Sequence, residues 1–300
     1  MILANQHTSL VSIALCTYNG EKYLKAQLDS LVIQDYQNLE IIIVDDCSTD
    51  NTVSILKEYQ KTNSNLNLYV NEKNLGFNKN FKKALESCNG DYIAFADQDD
   101  IWELNKISKM VEKVGDNLLV YHNSAYIDEN DIPSGLSKKS HHRFVSGDCA
   151  INFLYYNCVS GHACIIHRDL LEVTPPFPEN FYYDWWLAYT AANIGRIDFL
   201  DESLVKHRKH SNSSTSADNT DPRSLRLYQF KLFLANPVTD GSVKEMLQKL
   251  IENYEELRFK KFSLKLFLIL IRNANQLFYI RKKSIYSRLR FLITESTQHK

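Results

Sequence analysis

The chain has 300 residues, 44% of them hydrophobic, and a formal net charge of −1. That length and apolar content provide a full core for one large α/β domain plus an appendage, which excludes a globally disordered chain. The near-neutral charge removes any global electrostatic argument for nucleic-acid binding, so no nucleic-acid partner is expected.

From residue 10 to about 125, strand and helix patterns alternate. Leu10 to Cys16 reads as a strand. Glu21 to Gln34 places Leu24, Leu28, Leu31 and Val32 on one helical face. Glu40 to Val44 is a dense Ile/Val strand, and Asp50 to Tyr59 a helix with Val53, Leu56 and Tyr59 aligned. Leu66 to Val70 is a strand, Phe77 to Cys88 a helix, Asp91 to Ala96 a strand, Glu103 to Val114 a helix and Leu118 to Ala125 a strand. Such alternation predicts a Rossmann-like, mostly parallel sheet with helices on both faces.

Residues 126–160 read as loop-rich, with Pro133, Gly135 and a basic patch from Lys138 to Arg143. A short strand is expected over His162 to His167, a helix over Phe181 to Ile194 and a strand over Arg196 to Leu200. Ser211 to Asp221 is polar and reads as a loop or linker. After Pro222 helical periods dominate. Ten Lys/Arg and no Asp or Glu lie between Arg258 and Arg290, interleaved with Phe, Leu, Ile and Tyr. This pattern suits the surface of an anionic membrane. The bland alternative is that its apolar face packs on the catalytic domain or on a second copy in a homo-oligomer. The predicted division is a domain over 1–215, with halves 1–125 and 126–215, and a helical basic extension over 222–300.

The six cysteines include no Cys-x-x-Cys pair, so reduced thiols and no zinc site are expected. The first residues lack a charged n-region and a clean apolar h-region, so no signal peptide is expected. The longest apolar run, Leu264 to Ile271, is short of the ~20 residues a bilayer span needs.

Five constellations carry chemistry. Thr17-Tyr18-Asn19-Gly20 sits at a strand-to-helix turn where small polar residues and a glycine allow a ligand close approach. It is not a P-loop, since no Gly-Lys-Ser/Thr follows. Asp45 and Asp46 end the second strand, ahead of Ser48 and Asp50, which suit helix capping. Asp97-Gln98-Asp99-Asp100 ends another strand. It is either an acidic turn capping the next helix through Asp100, or a set of hard oxygen ligands for Mg²⁺ or Mn²⁺. Tyr183-Asp184-Trp185-Trp186 offers an acid among aromatics, where burial would raise a carboxyl pKa. Trp185 and Trp186 read as core or as a stacking platform for a ligand ring. His207-Arg208-Lys209-His210 is either a set of imidazole and cationic ligands or an exposed basic loop, and His162 either lines a site or sits in its strand.

Together these stretches resemble the family 2 glycosyltransferases of the GT-A fold. The resemblance is carried by Val11 to Gly20, Ile41 to Asp50, Asn74-Leu75-Gly76 and Phe95 to Trp102, in order and spacing through residue 115. It implies an inverting transferase that uses a nucleotide-sugar donor and Mn²⁺ or Mg²⁺. By that resemblance Thr17, Tyr18, Asn19, Asp46, Asn74, Asp97, Gln98 and Arg208 serve the donor. Asp99 ligates metal with His210, and Asp184 is the general base; the residue before it is Tyr183, where the family often has Glu. His162, Trp185 and Trp186 would face the acceptor. Relatives with the Asp-Gln-Asp-Asp-Ile-Trp form build O-antigen and capsule from UDP-hexoses or dTDP-rhamnose. Their acceptors are often lipid-linked saccharides, which implies a cytoplasmic protein peripheral to the inner face of the plasma membrane. Two other classes remain open: a haloacid-dehalogenase-like phosphatase using Asp97 and Asp99, and a non-catalytic membrane-associated scaffold.

Overall fold

The structure, a computed structural model, describes residues 9–210 and 221–298. The expected linker over 211–220 lies outside the described residues. The first half builds β1 (Val11–Thr17), α1 (Leu24–Val32), β2 (Leu39–Asp45), α2 (Thr52–Thr62), β3 (Leu66–Val70), α3 (Phe77–Ser87), β4 (Tyr92–Ala96), β5 (Ile101–Trp102), α4 (Lys106–Val114) and β6 (Leu119–Ile127). There follow β7 (Pro133–Ser137), α5 (Lys138–His141), β8 (Cys164–His167), α6 (Asp169–Val173), α7 (Tyr183–Asn193) and β9 (Ile197–Arg208). The chain then turns helical: α8 (Pro222–Ala235), α9 (Gly241–Glu256), α10 (Leu264–Arg272), α11 (Ala274–Leu277) and α12 (Ile285–Glu295).

The strands form one mixed sheet in the order β3-β2-β1-β4-β8-β6-β9-β5, with β7 added beside β6. The β1–β2, β2–β3, β1–β4 and β6–β9 pairs are parallel; β8, β5 and β7 run antiparallel to their neighbours. Strand alternation loads both faces. Ile13, Leu15, Ile41 and Ile43 face one core with Leu24, Leu28 and Leu56, while Ala14, Ile42, Val44 and Phe95 face a second with Phe81, Tyr183 and Leu187. The order runs from β1 outward to β2 and β3, then returns to the other side of β1 with β4. That reversal places a crevice beyond the carboxyl ends of β1 and β4, where open α/β sheets bind ligands.

Several expected elements shift. The helix after Asp100 begins at Lys106 rather than Glu103, because Ile101 and Trp102 pair with Val205 and Lys206 as β5. Gly161–Ala163 is a 3₁₀ turn, so the expected strand over His162 to His167 starts at Cys164. The strand expected to end at Leu200 runs on to Arg208. Its polar Asp201-Glu202-Ser203 stretch hides it from a hydrophobic pattern, and register shifts opposite His122 to Ser124 accommodate that stretch. All six cysteines are free, with four of them buried.

The helices after Pro222 do not form a core of their own. Phe230, Phe233, Leu247, Leu270 and Leu292 join the same buried cluster as Phe81, Phe95 and Trp186. The domain boundary expected at 222 therefore marks a change of element, not of core. Phe233 is one such link: its ring stacks on Tyr189 with centroids 3.8 Å apart and lies parallel to Trp186 at 6.2 Å. Phe233→Ala should cost about 3–5 kcal/mol, the usual range for a buried Phe. Urea unfolding of the variant measures it.

Candidate active site

The carboxyl ends of β1, β2 and β4 meet at the crevice. Thr17 Oγ1 donates to Asp45 Oδ2 at 2.7 Å, and Asp45 also accepts from the Ser48 amide and hydroxyl. Asp46 is more tightly engaged than the sequence indicated. Its carboxylate accepts from Asn71 Nδ2 and from the Leu75 and Gly76 amides, at 2.8, 2.8 and 2.9 Å. It pins the turn that contains Asn74, whose own Oδ1 accepts from the Gly76 amide at 3.0 Å. Asn80 and Lys83 complete that network through Asn71, and neither stood out in the sequence.

Gln98 clamps the first loop. Its Oε1 accepts from the Tyr18 amide at 2.8 Å and its Nε2 donates to the Tyr18 carbonyl at 3.1 Å. A Cβ at Gly20 would overlap the Gln98 amide, which is the physical need for glycine there. Asn19, at φ +46°, ties the same loop to Ser48 and Thr49. Tyr18 is left half exposed at the mouth.

The acids of the β4 turn have separate environments. Asp99 Oδ2 lies 2.7 Å from His210 Nε2. Burial, then the neighbouring Asp100 and Asp97 charges, push the Asp99 carboxyl above its usual range, and His210 opposes this. Asp97 is raised too, by desolvation first, although a third of its side chain remains open. Asp100 is fully buried and acts as a hub: Oδ1 accepts from the Arg208 amide and His207 Nδ1, both at 3.0 Å, and Oδ2 faces His162 Nδ1 at 3.5 Å. It does not simply cap the next helix. Desolvation holds the His162 imidazole well below its usual pKa and therefore neutral. Its Nδ1 faces Asp97 at 3.3 Å and its Nε2 meets Ser124 Oγ at 3.0 Å. Lys106, wholly buried under the site, donates to the His162 carbonyl at 2.6 Å and rides over the Trp102 ring.

Two groups can be tested as cation sites. Asp100, His162 and His207 bring one ligand atom each within 4.8 Å of one another. Their rings, however, stack face to face at 4.3 Å and 14°, so the two Nδ1 atoms address separate carboxylate oxygens rather than one ion. Asp99 and His210 fit better. One carboxylate oxygen and one imidazole nitrogen lie adjacent, beside acids whose raised pKa values a cation would relieve, and that donor set suits Mn²⁺ or Mg²⁺ with remaining positions for phosphate and water.

Asp184 occupies the first turn of α7. Its Oδ1 accepts from the Trp185 amide at 2.6 Å and its Oδ2 from the Gly161 amide at 3.2 Å. Burial raises its pKa to about 6 against the pull of Lys138 and the two amides. Asn78, in the first turn of α3, donates to the Pro178, Glu179 and Phe181 carbonyls and so holds the loop that delivers Asp184. A Cβ at Gly161 would overlap the Tyr183 hydroxyl. Gly161→Ala should displace Tyr183 and the amide on Asp184, cost about 1–3 kcal/mol of stability as overpacking does, and lower turnover at least tenfold. Thermal melts and rate assays on one preparation test both.

Three expected assignments need correction. Arg208 is not offered to a diphosphate: its side chain is buried, with Nε on the Asp99 carbonyl at 2.8 Å and Nη1 on the Asp128 carbonyl and on Asp131. It braces the metal-side acids from behind. Trp186 is core, with Nε1 on the Pro175 carbonyl at 3.0 Å. Trp185 is half-buried, with Nε1 on the Phe153 carbonyl and its ring against Phe181, so it packs the base helix rather than presenting a stacking face.

These features place the molecule among GT-A glycosyltransferases: a mostly parallel sheet with an acidic turn at the switch point and a half-buried acid opening a later helix. The family model described as glycosyl transferase family 2 matches residues 12–174, and the chain belongs to that family. It is 29% identical over 223 residues to the dTDP-rhamnosyl transferase RfbG of Shigella flexneri, covering 68% of this chain and 74% of that one. The crystal structure of S. aureus TarS 1–349 in complex with UDP-GlcNAc superposes with a TM-score of 0.63 at 22% identity, over 89% of this chain and 81% of that 1–349 chain. The Pyrobaculum calidifontis mannosyltransferase PcManGT, in complex with GDP-Man and Mn²⁺, gives 0.54 at 18% identity, over 96% and 80%. At such identities both structures speak for the fold. Family membership makes the chain a glycosyltransferase.

Proposed function

We propose that the protein transfers a sugar from a nucleoside-diphosphate sugar to a saccharide hydroxyl with inversion at the anomeric carbon. The observation that carries this reading is the pairing of two sites across one crevice: Asp99 with His210 on one side, and the half-buried Asp184 with a pKa raised to about 6 on the other. Thr17, Asp46 and Asp97 border the nucleotide and donor sugar. Asp184 accepts the acceptor hydroxyl's proton as that oxygen attacks the anomeric carbon, and the nucleoside diphosphate leaves from the opposite face. One displacement leaves no covalent intermediate, so the configuration inverts. A divalent cation held by Asp99 and His210 would neutralise charge on the leaving diphosphate. The residue left neutral by burial, His162, orients Asp97 without adding charge. Family membership and the GT-A fold argue against the phosphatase alternative, and the retained acid set argues against a non-catalytic scaffold.

The family relation to RfbG supports a surface-polysaccharide role, with a UDP-hexose or dTDP-rhamnose donor and a lipid-linked saccharide acceptor at the cytoplasmic face of the membrane. Nucleotide release from a panel of UDP-, GDP- and dTDP-sugars, with and without Mn²⁺, tests the activity. Absence of metal-dependent release with every donor, in the presence of mixed lipid-linked saccharides, would overturn it.

The extension supports membrane contact by more than charge. The α10 helix buries Leu266 and Leu270 but exposes Leu264, Leu268 and Ile271; α12 exposes Ile285, Leu289 and Ile293 at helical spacing. Basic residues flank both stripes, as an amphipathic helix lying on anionic lipid requires. No helix among the described residues is long and apolar enough to cross a membrane. Deleting the extension would expose the shared core, so point changes are the sound test. Ile285→Asp with Leu289→Asp should abolish co-sedimentation with phosphatidylglycerol vesicles and leave donor hydrolysis unchanged.

A further inference from the structure

The basic patch over Lys138 to Arg143 and the basic residues after Ile280 are far apart in sequence, yet the fold joins them. His142 and Arg281 form an antiparallel bridge. The Arg143 amide donates to the Ile280 carbonyl at 2.7 Å, and the Lys282 amide to the His141 carbonyl at 2.9 Å. Arg281 Nη1 lies 3.0 Å from His142 Nε2, which burial and the adjacent Lys138 and Arg281 charges keep neutral. Lys138 Nζ donates to Ser160 Oγ at 3.1 Å, one residue before the Gly161 amide that holds Asp184.

These cations lack counter-ions. Lys138, Arg281, Lys282 and Lys283 have no carboxylate within 4.0 Å among the described residues, whereas neighbouring Lys139 pairs with Asp201. Lys138 is half-buried, and desolvation first, then Lys209 and Arg281, hold its ammonium below the usual range; Asp184 is the main opposing charge. Converging, partly desolvated cations repel one another unless an anion joins them. Arginines on α12 would serve a membrane equally well from outside; Lys138 instead lies close enough to Asp184 to act on its charge, with Arg281 beside Lys138 and His142.

We propose that Lys138 and Arg281, assembled from the catalytic domain and the extension, bind a phosphate or diphosphate group attached to the acceptor saccharide. The inference rests on the transferase reading above and deepens it. The anion seats the acceptor with its hydroxyl toward Asp184, so the extension becomes part of the acceptor site rather than only an anchor. Arginine offers a bidentate fork and lysine a point charge, a pairing suited to phosphate oxygens.

The test measures binding by calorimetry with EDTA present, so that the metal-dependent nucleotide site is silent. The probes are farnesyl diphosphate, inorganic pyrophosphate and farnesol. Both diphosphates should bind the full chain, and farnesol should not. Arg281→Gln and Lys138→Gln should each weaken diphosphate binding about tenfold, while Arg290→Gln, on the exposed side of α12, should change nothing. Equal weakening by Arg290→Gln would reveal a diffuse basic surface and overturn the proposal. Binding of pyrophosphate without farnesyl diphosphate would overturn it too, since a lipid-borne group must then be excluded from the cleft. Metal-dependent nucleotide release, assayed in parallel, separates failure of this inference from failure of the transferase reading.

Discussion

Asp184→Asn should leave a folded protein whose turnover has fallen by about 10²–10⁴-fold, the span that a positioned general base contributes. The geometry favours a clean result. Asn can keep the 2.6 Å bond from the Trp185 amide through its carbonyl oxygen, which holds the first turn of α7, and gives up only the longer 3.2 Å bond from Gly161, which its NH2 cannot accept. What is lost is proton affinity. The sign of the pH dependence follows from the raised pKa. Burial favours the neutral acid, Asp184 is ionised only above about 6, and only the ionised form can accept a proton. Turnover should therefore rise with pH through about 6 and level off above it. Lys138 is the cation that most opposes the upward shift, so Lys138→Gln should move that midpoint to higher pH. Stability runs the other way. A carboxyl raised on folding stabilises most at low pH, and that contribution is lost as pH rises through about 6. Asp184→Asn escapes this loss but gives up the Gly161 bond, so its melting temperature should change less than that of the wild type as pH rises through about 6. A variant that loses activity only with its fold would sink the assignment.

The contrast between Asp184 and Arg208 shows what sequence can and cannot resolve here. The parallel half was legible because each strand is a dense apolar run followed by a helical period, and both signals survive without tertiary context. The acids at strand ends were legible for the same reason: carboxylates abutting a buried strand have few structural uses. Arg208 and His210 are two residues apart on one strand end, and period-2 alternation sends their side chains to comparable directions. Only packing distinguishes them, since Arg208 meets the Asp99, Asp128 and Asp131 oxygens while His210 meets the Asp99 carboxylate. Asn78 and Lys106 were invisible because each acts through a backbone carbonyl remote in sequence, and a carbonyl carries no residue signature. The bridge between His142 and Arg281 joins positions that no local pattern could relate.

Asp99→Ala should abolish the response to Mn²⁺ and reduce turnover by about 10²–10³-fold, the range seen when one stabiliser of transition-state charge is removed. The adjacent acid provides the control. The Asp99 carboxylate meets the His210 imidazole, and Ala there also removes like-charge repulsion with Asp97 and Asp100. Its stability should hold or rise. Asp100 is fully buried and receives the Arg208 amide and His207. Asp100→Ala leaves buried donors unpaired and removes a fully buried carboxylate beside Lys106 and His162, a class of change that costs about 3–5 kcal/mol. The two neighbouring variants should thus separate cleanly: Asp99→Ala folds and fails to couple Mn²⁺ to nucleoside-diphosphate binding, whereas Asp100→Ala melts early whatever the metal. Calorimetric titration of UDP, GDP and dTDP with and without Mn²⁺, alongside thermal melts, reads both. Metal-enhanced nucleotide binding that survives Asp99→Ala would move the cation away from the Asp99–His210 pair.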